Sequence, residues 1–97
     1  MKNSENPENA VKDYSIEIKK SAQKFLMNLE DKYFDKIDDK IQSLKSNPHP
    51  KNSKKLLVFD CYRVRVGIYR ILYTVDYANT KICILDIDNR KDVYKSK

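Results

Sequence analysis

Arg63, Arg65 and Arg70 stand close together around the chain's single glycine, Gly67. The segment runs Cys61-Tyr62-Arg63-Val64-Arg65-Val66-Gly67-Ile68-Tyr69-Arg70-Ile71-Leu72-Tyr73, with basic and aromatic residues alternating with branched aliphatics. Successive side chains of a strand point to opposite faces, so Tyr62, Val64 and Val66 face one way and Arg63 and Arg65 the other. Two guanidinium groups about 7 Å apart, two residues of strand rise, make a compact receptor for anions. Arginine grips phosphate with paired hydrogen bonds better than any other side chain. The chain breaks at Gly67 and returns with Tyr69-Arg70, so a third arginine enters the same region. The chemistry this pattern serves is binding of a polyanion.

Other reactive residues carry weaker signals. Cys61 and Cys83 have no neighbouring His or third Cys and do not show zinc-ligand spacing. No base is paired with either, which argues against thiol catalysis, and Cys83 reads as a small buried hydrophobe inside an apolar run. His49, the only histidine, lies between Pro48 and Pro50 and reads as a surface residue of a loop. No metal and no cofactor is expected.

Charge is distributed unevenly. The net charge is +6, yet residues 1–49 hold nine lysines and nine acidic residues, whereas residues 50–97 hold eleven Lys/Arg against five Asp. All four arginines belong to the second half. Such asymmetry points that half toward nucleic acid or an acidic protein. The competing reading is a solvated basic face, with Arg63 and Arg65 paired to Asp60 and Asp76. No apolar run approaches the roughly 20 residues that span a bilayer, and no signal peptide is visible, so a cytoplasmic protein is the expectation.

The elements that must position these residues are legible as follows. Residues 1–12 are polar and aperiodic and read as a disordered leader to a single domain over 13–97. Tyr14 to Ile18 alternates as a first strand. Ser21 offers a helix N-cap, and Ala22, Phe25, Leu26 and Leu29 form one helical stripe. Asp31 caps a second helix with Phe34, Ile37, Ile41 and Leu44 on its inner face and a run of Asp and Lys in solvent. Asn47-Pro48-His49-Pro50 stops that helix. Leu56 to Phe59 and Tyr62 to Val66 read as one interrupted strand or two, and Ile68 to Asp76 as another. Tyr77 to Thr80 is a turn, Ile82 to Ile87 a central strand buried on both faces, and Asp88-Asn89 a turn before Arg90 to Tyr94. The fold class is α+β: an N-terminal strand, an antiparallel helical hairpin, then a three-to-four-stranded antiparallel sheet with one face partly open. Tyr62, Tyr69 and Tyr73 read as packing residues.

The Tyr62–Tyr73 segment resembles the central motif of the RelE/ParE superfamily of toxins from type II toxin–antitoxin systems. Arg90-Lys91-Asp92-Val93-Tyr94 resembles its closing motif, and Asn47-Pro48 with Lys54-Lys55-Leu56 its helix-to-sheet loop. The likeness runs from about Tyr14 to Tyr94. It implies a microbial-RNase-like fold and, for the RelE branch, an endonuclease that cuts mRNA in the ribosomal A site by attack of a 2′-hydroxyl on the adjacent phosphate. Its partners would be a cognate antitoxin and the ribosome. Carried over by position, the resemblance implies catalytic roles for Arg70, Arg90 and Tyr94 and RNA binding by Arg63, Arg65, Lys54 and Lys55. Arginine is poorly matched to general-base work. Many relatives carry a His just before the closing Arg, where this chain has Asn89. Two other classes stay open: a ParE-like inhibitor of DNA gyrase, and a catalytically weak member that only binds antitoxin or RNA.

Overall fold

In the computed structural model, residues 13–57 and 60–89 are described. The leader at 1–12, Val58, Phe59 and the closing segment with Arg90 and Tyr94 lie outside the described residues. The elements are β1 (Ser15–Ile18), α1 (Lys20–Met27), α2 (Asp31–Leu44), β2 (Ser53–Lys55), β3 (Tyr62–Val66), β4 (Tyr69–Asp76) and β5 (Lys81–Asn89). They form the α+β fold expected, with one five-stranded sheet in the order β1-β5-β4-β3-β2.

The sheet is mixed rather than wholly antiparallel. β1 pairs parallel with β5, Ser15 opposite Lys81 through Ile18 opposite Ile84. Local alternation marks a strand but does not name its neighbour. The two helices and three strands between β1 and β5 leave ample chain for a parallel return. Glu17 and Lys81 clamp this pair at 2.8 Å, and Lys19 adds a longer contact to Glu17 at 3.7 Å.

The helices cover one face. Ala22 and Leu26 of α1 and Ile37, Ile41 and Leu44 of α2 are buried against Val64, Tyr69, Ile71, Tyr73, Ile82, Ile84 and Ile87. Phe25 and Tyr33 meet the Tyr69 ring edge-on, each with centroids 5.7 Å away. Phe34, expected in the core, is exposed, and its neighbour Tyr33 packs instead. α1 begins at Lys20 without a side-chain cap. Its start is tied to β5, since the Lys19 N–H donates to the Ile84 carbonyl and the Ser21 hydroxyl to the Leu85 carbonyl. The N-cap of α2 is Glu30, and Asp31 is its first residue.

Two strand boundaries and one burial pattern differ from expectation. β2 covers Ser53–Lys55, ahead of the apolar Leu56 and Leu57. β5 runs through Asp88 and Asn89, where a turn was expected. β5 is interior but not buried on both faces: Ile82, Ile84 and Ile87 are buried, whereas Cys83, Leu85 and Asp86 are half-buried. Ile84 and Ile87 are three apart and would face opposite ways in a regular strand. A register irregularity between Leu72 and Tyr73 sets Leu72 opposite Asp86 and Tyr73 opposite Ile84, leaving Leu85 as the extra residue, so both isoleucines reach the helices. Cys61, not Cys83, is the buried thiol, and that burial pushes its pKa up.

Val64 is fully buried at the centre of this core. Val64→Asp would bury a carboxylate without a partner. The expected outcome is loss of a cooperative thermal transition, read by circular dichroism. A second outcome concerns pH. The hydrogen bond and charge of Lys81, with Lys19, hold the Glu17 carboxyl below its ordinary value. Its contribution is therefore present above the ordinary carboxylate pKa and lost as pH falls through the lowered folded value. Wild type should out-melt Glu17→Gln at neutral pH, and the two curves should converge in strong acid.

Candidate nucleic-acid interface

The β3–β4 hairpin fixes the placement of the arginines. Val66 pairs with Tyr69, leaving Gly67-Ile68 as a two-residue turn. Gly67 has φ of 61°, which suits the glycine-first hairpin turn and strains any residue with a Cβ. Nothing crowds a Cβ there, so conformation rather than space demands the glycine. With this turn in place, Arg65 lies opposite Arg70, and Arg70 opposite Asp88. The next open-face row reads Lys54, Arg63, Leu72, Asp86 across β2, β3, β4 and β5. Between the two rows runs Ser53, Val64, Ile71, Ile87, which faces the helices. The alternation expected for Tyr62 to Val66 is thus present, and the sheet face opposite the helices carries Lys54, Arg63, Arg65 and Arg70.

That face is electrostatically divided. On its β5 side, Asp88 takes two hydrogen bonds from Arg70, from Nε at 3.0 Å and from a terminal nitrogen at 3.2 Å. Both side chains are about one-quarter to one-third exposed, at 24% and 31%. An arginine near the start of a largely apolar strand has found a carboxylate, which fixes its plane and leaves three of its five N–H donors uncommitted to Asp88. On the β2–β3 side, neither Arg63 nor Arg65 has a carboxylate within salt-bridge distance among the described residues. Asp60, a partner considered for them, lies 3.6 Å from Lys55. Asp76, the other, accepts from the Asn79 backbone and side chain and so closes the β4–β5 turn. Those bonds hold the Asp76 carboxyl below its ordinary value.

Lys54 and Lys55 part company. Lys54 joins the row of Arg63, whereas Lys55 lies opposite Tyr62 on the row that runs to Tyr73. Asn89 lies on the row of Val66 and Tyr69, one residue out of phase with Arg65, Arg70 and Asp88. The position where relatives place a His therefore belongs to the helix-facing row. Among the described residues no group of three or more His, Cys, Asp or Glu could hold a metal ion. No helix among them is long and apolar enough to cross a membrane.

Sequence reasoning missed Asp88, which it assigned to a turn. The signal that could have found it is parity: Arg70 and Asp88 lie on open faces of neighbouring strands once β5 is extended through Asn89. It also missed the company of His49. That ring is exposed, as expected, but its centroid lies 4.5 Å from that of Tyr62, and its Nε2 is hydrogen-bonded to the Tyr77 hydroxyl. The Tyr62 ring stacks on Tyr73, whose hydroxyl donates to the Pro48 carbonyl at 2.7 Å. The Tyr77 hydroxyl is pushed up to about 12, chiefly by its hydrogen bond with Tyr62.

Residues 9–94 match the family of the ParE toxin of the type II toxin–antitoxin system parDE. The RelE1 protein of Methanocaldococcus jannaschii is 36% identical over 87 residues, which cover 86% of this chain and 97% of that protein. The RelE4 protein of the same organism is 30% identical, covering 87% and 94%. Among solved structures, the archaeal RelE–RelB complex from Pyrococcus horikoshii superposes with a TM-score of 0.73 and 29% identity, over 79% of this chain and 94% of that one. The toxin–antitoxin complex RelBE2 from Mycobacterium tuberculosis gives 0.71 and 25% identity, over 80% and 92%.

The Arg70–Asp88 pair can be weighed by a double-mutant cycle. Arg70→Ala, Asp88→Ala and the double variant should yield a coupling of about 1 kcal/mol by chemical denaturation, as for a partly exposed, two-pronged pair. A coupling indistinguishable from zero would mean that the pair does not fix the guanidinium.

Proposed function

The chain belongs to the RelE/ParE superfamily of toxins from type II toxin–antitoxin systems, and on that premise we propose that it is a ribosome-dependent mRNA endonuclease neutralised by a cognate antitoxin. The observation that carries the proposal is the open sheet face, where Lys54, Arg63 and Arg65 present cations and Asp88 holds Arg70 in a fixed plane. The solved relatives in complex with RelB support an antitoxin partner for this chain as well.

In the proposed reaction a 2′-hydroxyl of mRNA gives up its proton and its oxygen bonds to the adjacent phosphorus. The bond from phosphorus to the 5′-oxygen breaks, that oxygen takes a proton, and a cyclic phosphate remains. Negative charge grows on the phosphoryl oxygens along the way. Fixed cations stabilise it best where they need no reorganisation. Arg70, oriented by Asp88, takes that role with Arg90, while Arg63, Arg65 and Lys54 grip the RNA backbone. Lys55 stands one row away and contributes charge from the sheet edge. Tyr94 stacks on a base or relays a proton. Asn89 supplies no proton acceptor of suitable pKa, so the base falls to Lys54, to Tyr94 or to the ribosome.

A second reading has one observation in its favour: the matching family model is that of the ParE toxin. A ParE-like protein would act on DNA gyrase and cut nothing. The two readings separate when purified protein is given defined mRNA, alone and on ribosomes with an empty A site, and the RNA ends are mapped. Cleavage only on ribosomes and within the A-site codon is the expected result. Intact RNA with inhibited gyrase would replace the first reading by the second. Arg70→Ala and Arg90→Ala should each reduce cleavage by about a hundredfold or more, the scale of losing a positioned charge-stabilising donor, and abolish growth arrest. If both stay folded and fully toxic, the site assignment is wrong.

A further inference from the structure

Four of the chain's seven tyrosines and its only histidine gather at one end of the sheet. Tyr73 is fully buried, and its hydroxyl is fixed to the Pro48 carbonyl. Tyr62 stacks on it, with centroids 5.7 Å apart and planes at 24°. His49 rests on Tyr62 at 4.5 Å, and Tyr77 follows at 5.9 Å from His49 with planes at 33°. Tyr14 lies near enough to bear on the ionisation of Tyr77. The series starts in the core and ends in solvent: Tyr77 is 56% exposed, and His49 is exposed too.

Packing alone accounts for the inner half of this series. It does not account for the outer half, where two rings are ordered but leave much of their surface to water. The Tyr77 hydroxyl and His49 Nε2 are already spent on each other, and the Tyr77 hydroxyl also meets the Tyr62 hydroxyl at 3.5 Å. What these two rings chiefly still offer is ring surface. Pro48 and Pro50 stiffen the loop that carries His49, which lowers the ordering cost of binding there.

The surroundings define the charge of a partner. Residues 45–59 contain Lys45, Lys51, Lys54 and Lys55 and no acidic residue. Lys55 lies opposite Tyr62, and its neighbour Lys54 opens the row of Arg63. Lys55 shares the helix-facing row of the rings, whereas Lys54 and Arg63 lie on the other face, so the aromatic end and the cationic rows occupy opposite sides of the sheet and adjoin only across its β2 edge. Exposed ring surface beside a lysine-rich edge matches single-stranded nucleic acid, whose bases stack on aromatic rings without sequence preference.

We propose that the exposed His49 and Tyr77 rings form a stacking platform for an unpaired base of single-stranded RNA whose backbone passes Lys55 and turns round the β2 edge of the sheet onto Lys54, Arg63 and Arg65. The platform rests on the RNA-binding reading above and adds to it a contact outside the arginine rows. Its partner is the face of a base, so it should prefer no particular sequence.

The test uses the full chain and two labelled single-stranded oligonucleotides of equal length, 2′-O-methylated to prevent cleavage, one with bases and one abasic. Fluorescence anisotropy gives the ratio of their affinities. Wild type should favour the oligonucleotide with bases about tenfold, the order expected for one stacked base. Tyr77→Ala, His49→Ala and Tyr77→Leu, which retains apolar bulk, should bring the ratio close to one while melting near wild type. Tyr77→Phe, which keeps the ring and loses the hydroxyl, should preserve it. Arg63→Ala should weaken both oligonucleotides alike. An unchanged ratio in the Ala and Leu variants, or its loss in Tyr77→Phe, overturns the platform. Equal wild-type affinity for both oligonucleotides overturns it too and leaves the cationic rows standing. No binding of either by wild type removes the RNA reading together with the platform.

Discussion

The arrangement depends on one hairpin turn. Gly67 at positive φ lets the chain reverse in two residues, so Arg65 and Arg70 come opposite each other rather than one residue out of step. Because strand side chains alternate strictly, that single registration decides both faces at once. A slip of one residue between the two strands would turn either Val64 or Ile71 to solvent and a guanidinium group toward the helices. The core and the cationic face are therefore two consequences of one constraint. Substitutions that loosen the turn threaten stability and binding together.

The open face is then shaped by where its carboxylates fall. Asp86 and Asp88 lie on β5, while β2 and β3 contribute Lys54, Arg63 and Arg65. Attraction for a polyanion is strongest toward the β2–β3 edge and weakens toward β5. At the boundary Asp88 reduces the net charge around Arg70 but holds its guanidinium in one orientation. In the proposed cleavage a fixed charge serves better than a free one, because no reorganisation is needed as charge develops. Arg63 and Arg65, with no carboxylate near them among the described residues, suit capture of a backbone whose position varies.

Much of this was legible in the residues. The alternation from Tyr62 to Val66, the helical stripes of Ala22-Leu26 and Ile37-Ile41-Leu44, and the break at Gly67 are local patterns. Each reports which face a side chain takes. What stayed hidden is pairing. Nothing near Ser15–Ile18 says that its neighbour is Lys81–Ile84 or that the two run parallel. Ile82 to Ile87 reads as buried on both faces because the extra residue at Leu85 shifts the phase of the strand, and a register irregularity has no reliable signature in an apolar run. Asp88 was hidden for the same reason: its role follows from lying opposite Arg70. The ring series through His49 depends on four separate segments meeting at one sheet end. Long-range meetings of that kind come from the tertiary fold, not from spacing along the chain.

The central claim is that the sheet face opposite the helices is the nucleic-acid face. Amide chemical-shift mapping by NMR, with a non-cleavable single-stranded RNA titrated into the labelled protein, tests it most directly. The account predicts shifts concentrated at Lys54, Arg63, Arg65 and Arg70, fading as salt is raised, with the His49–Tyr77 end joining them where the RNA turns round the β2 edge. Shifts confined to α1 and α2, with the strand amides unmoved, would contradict it.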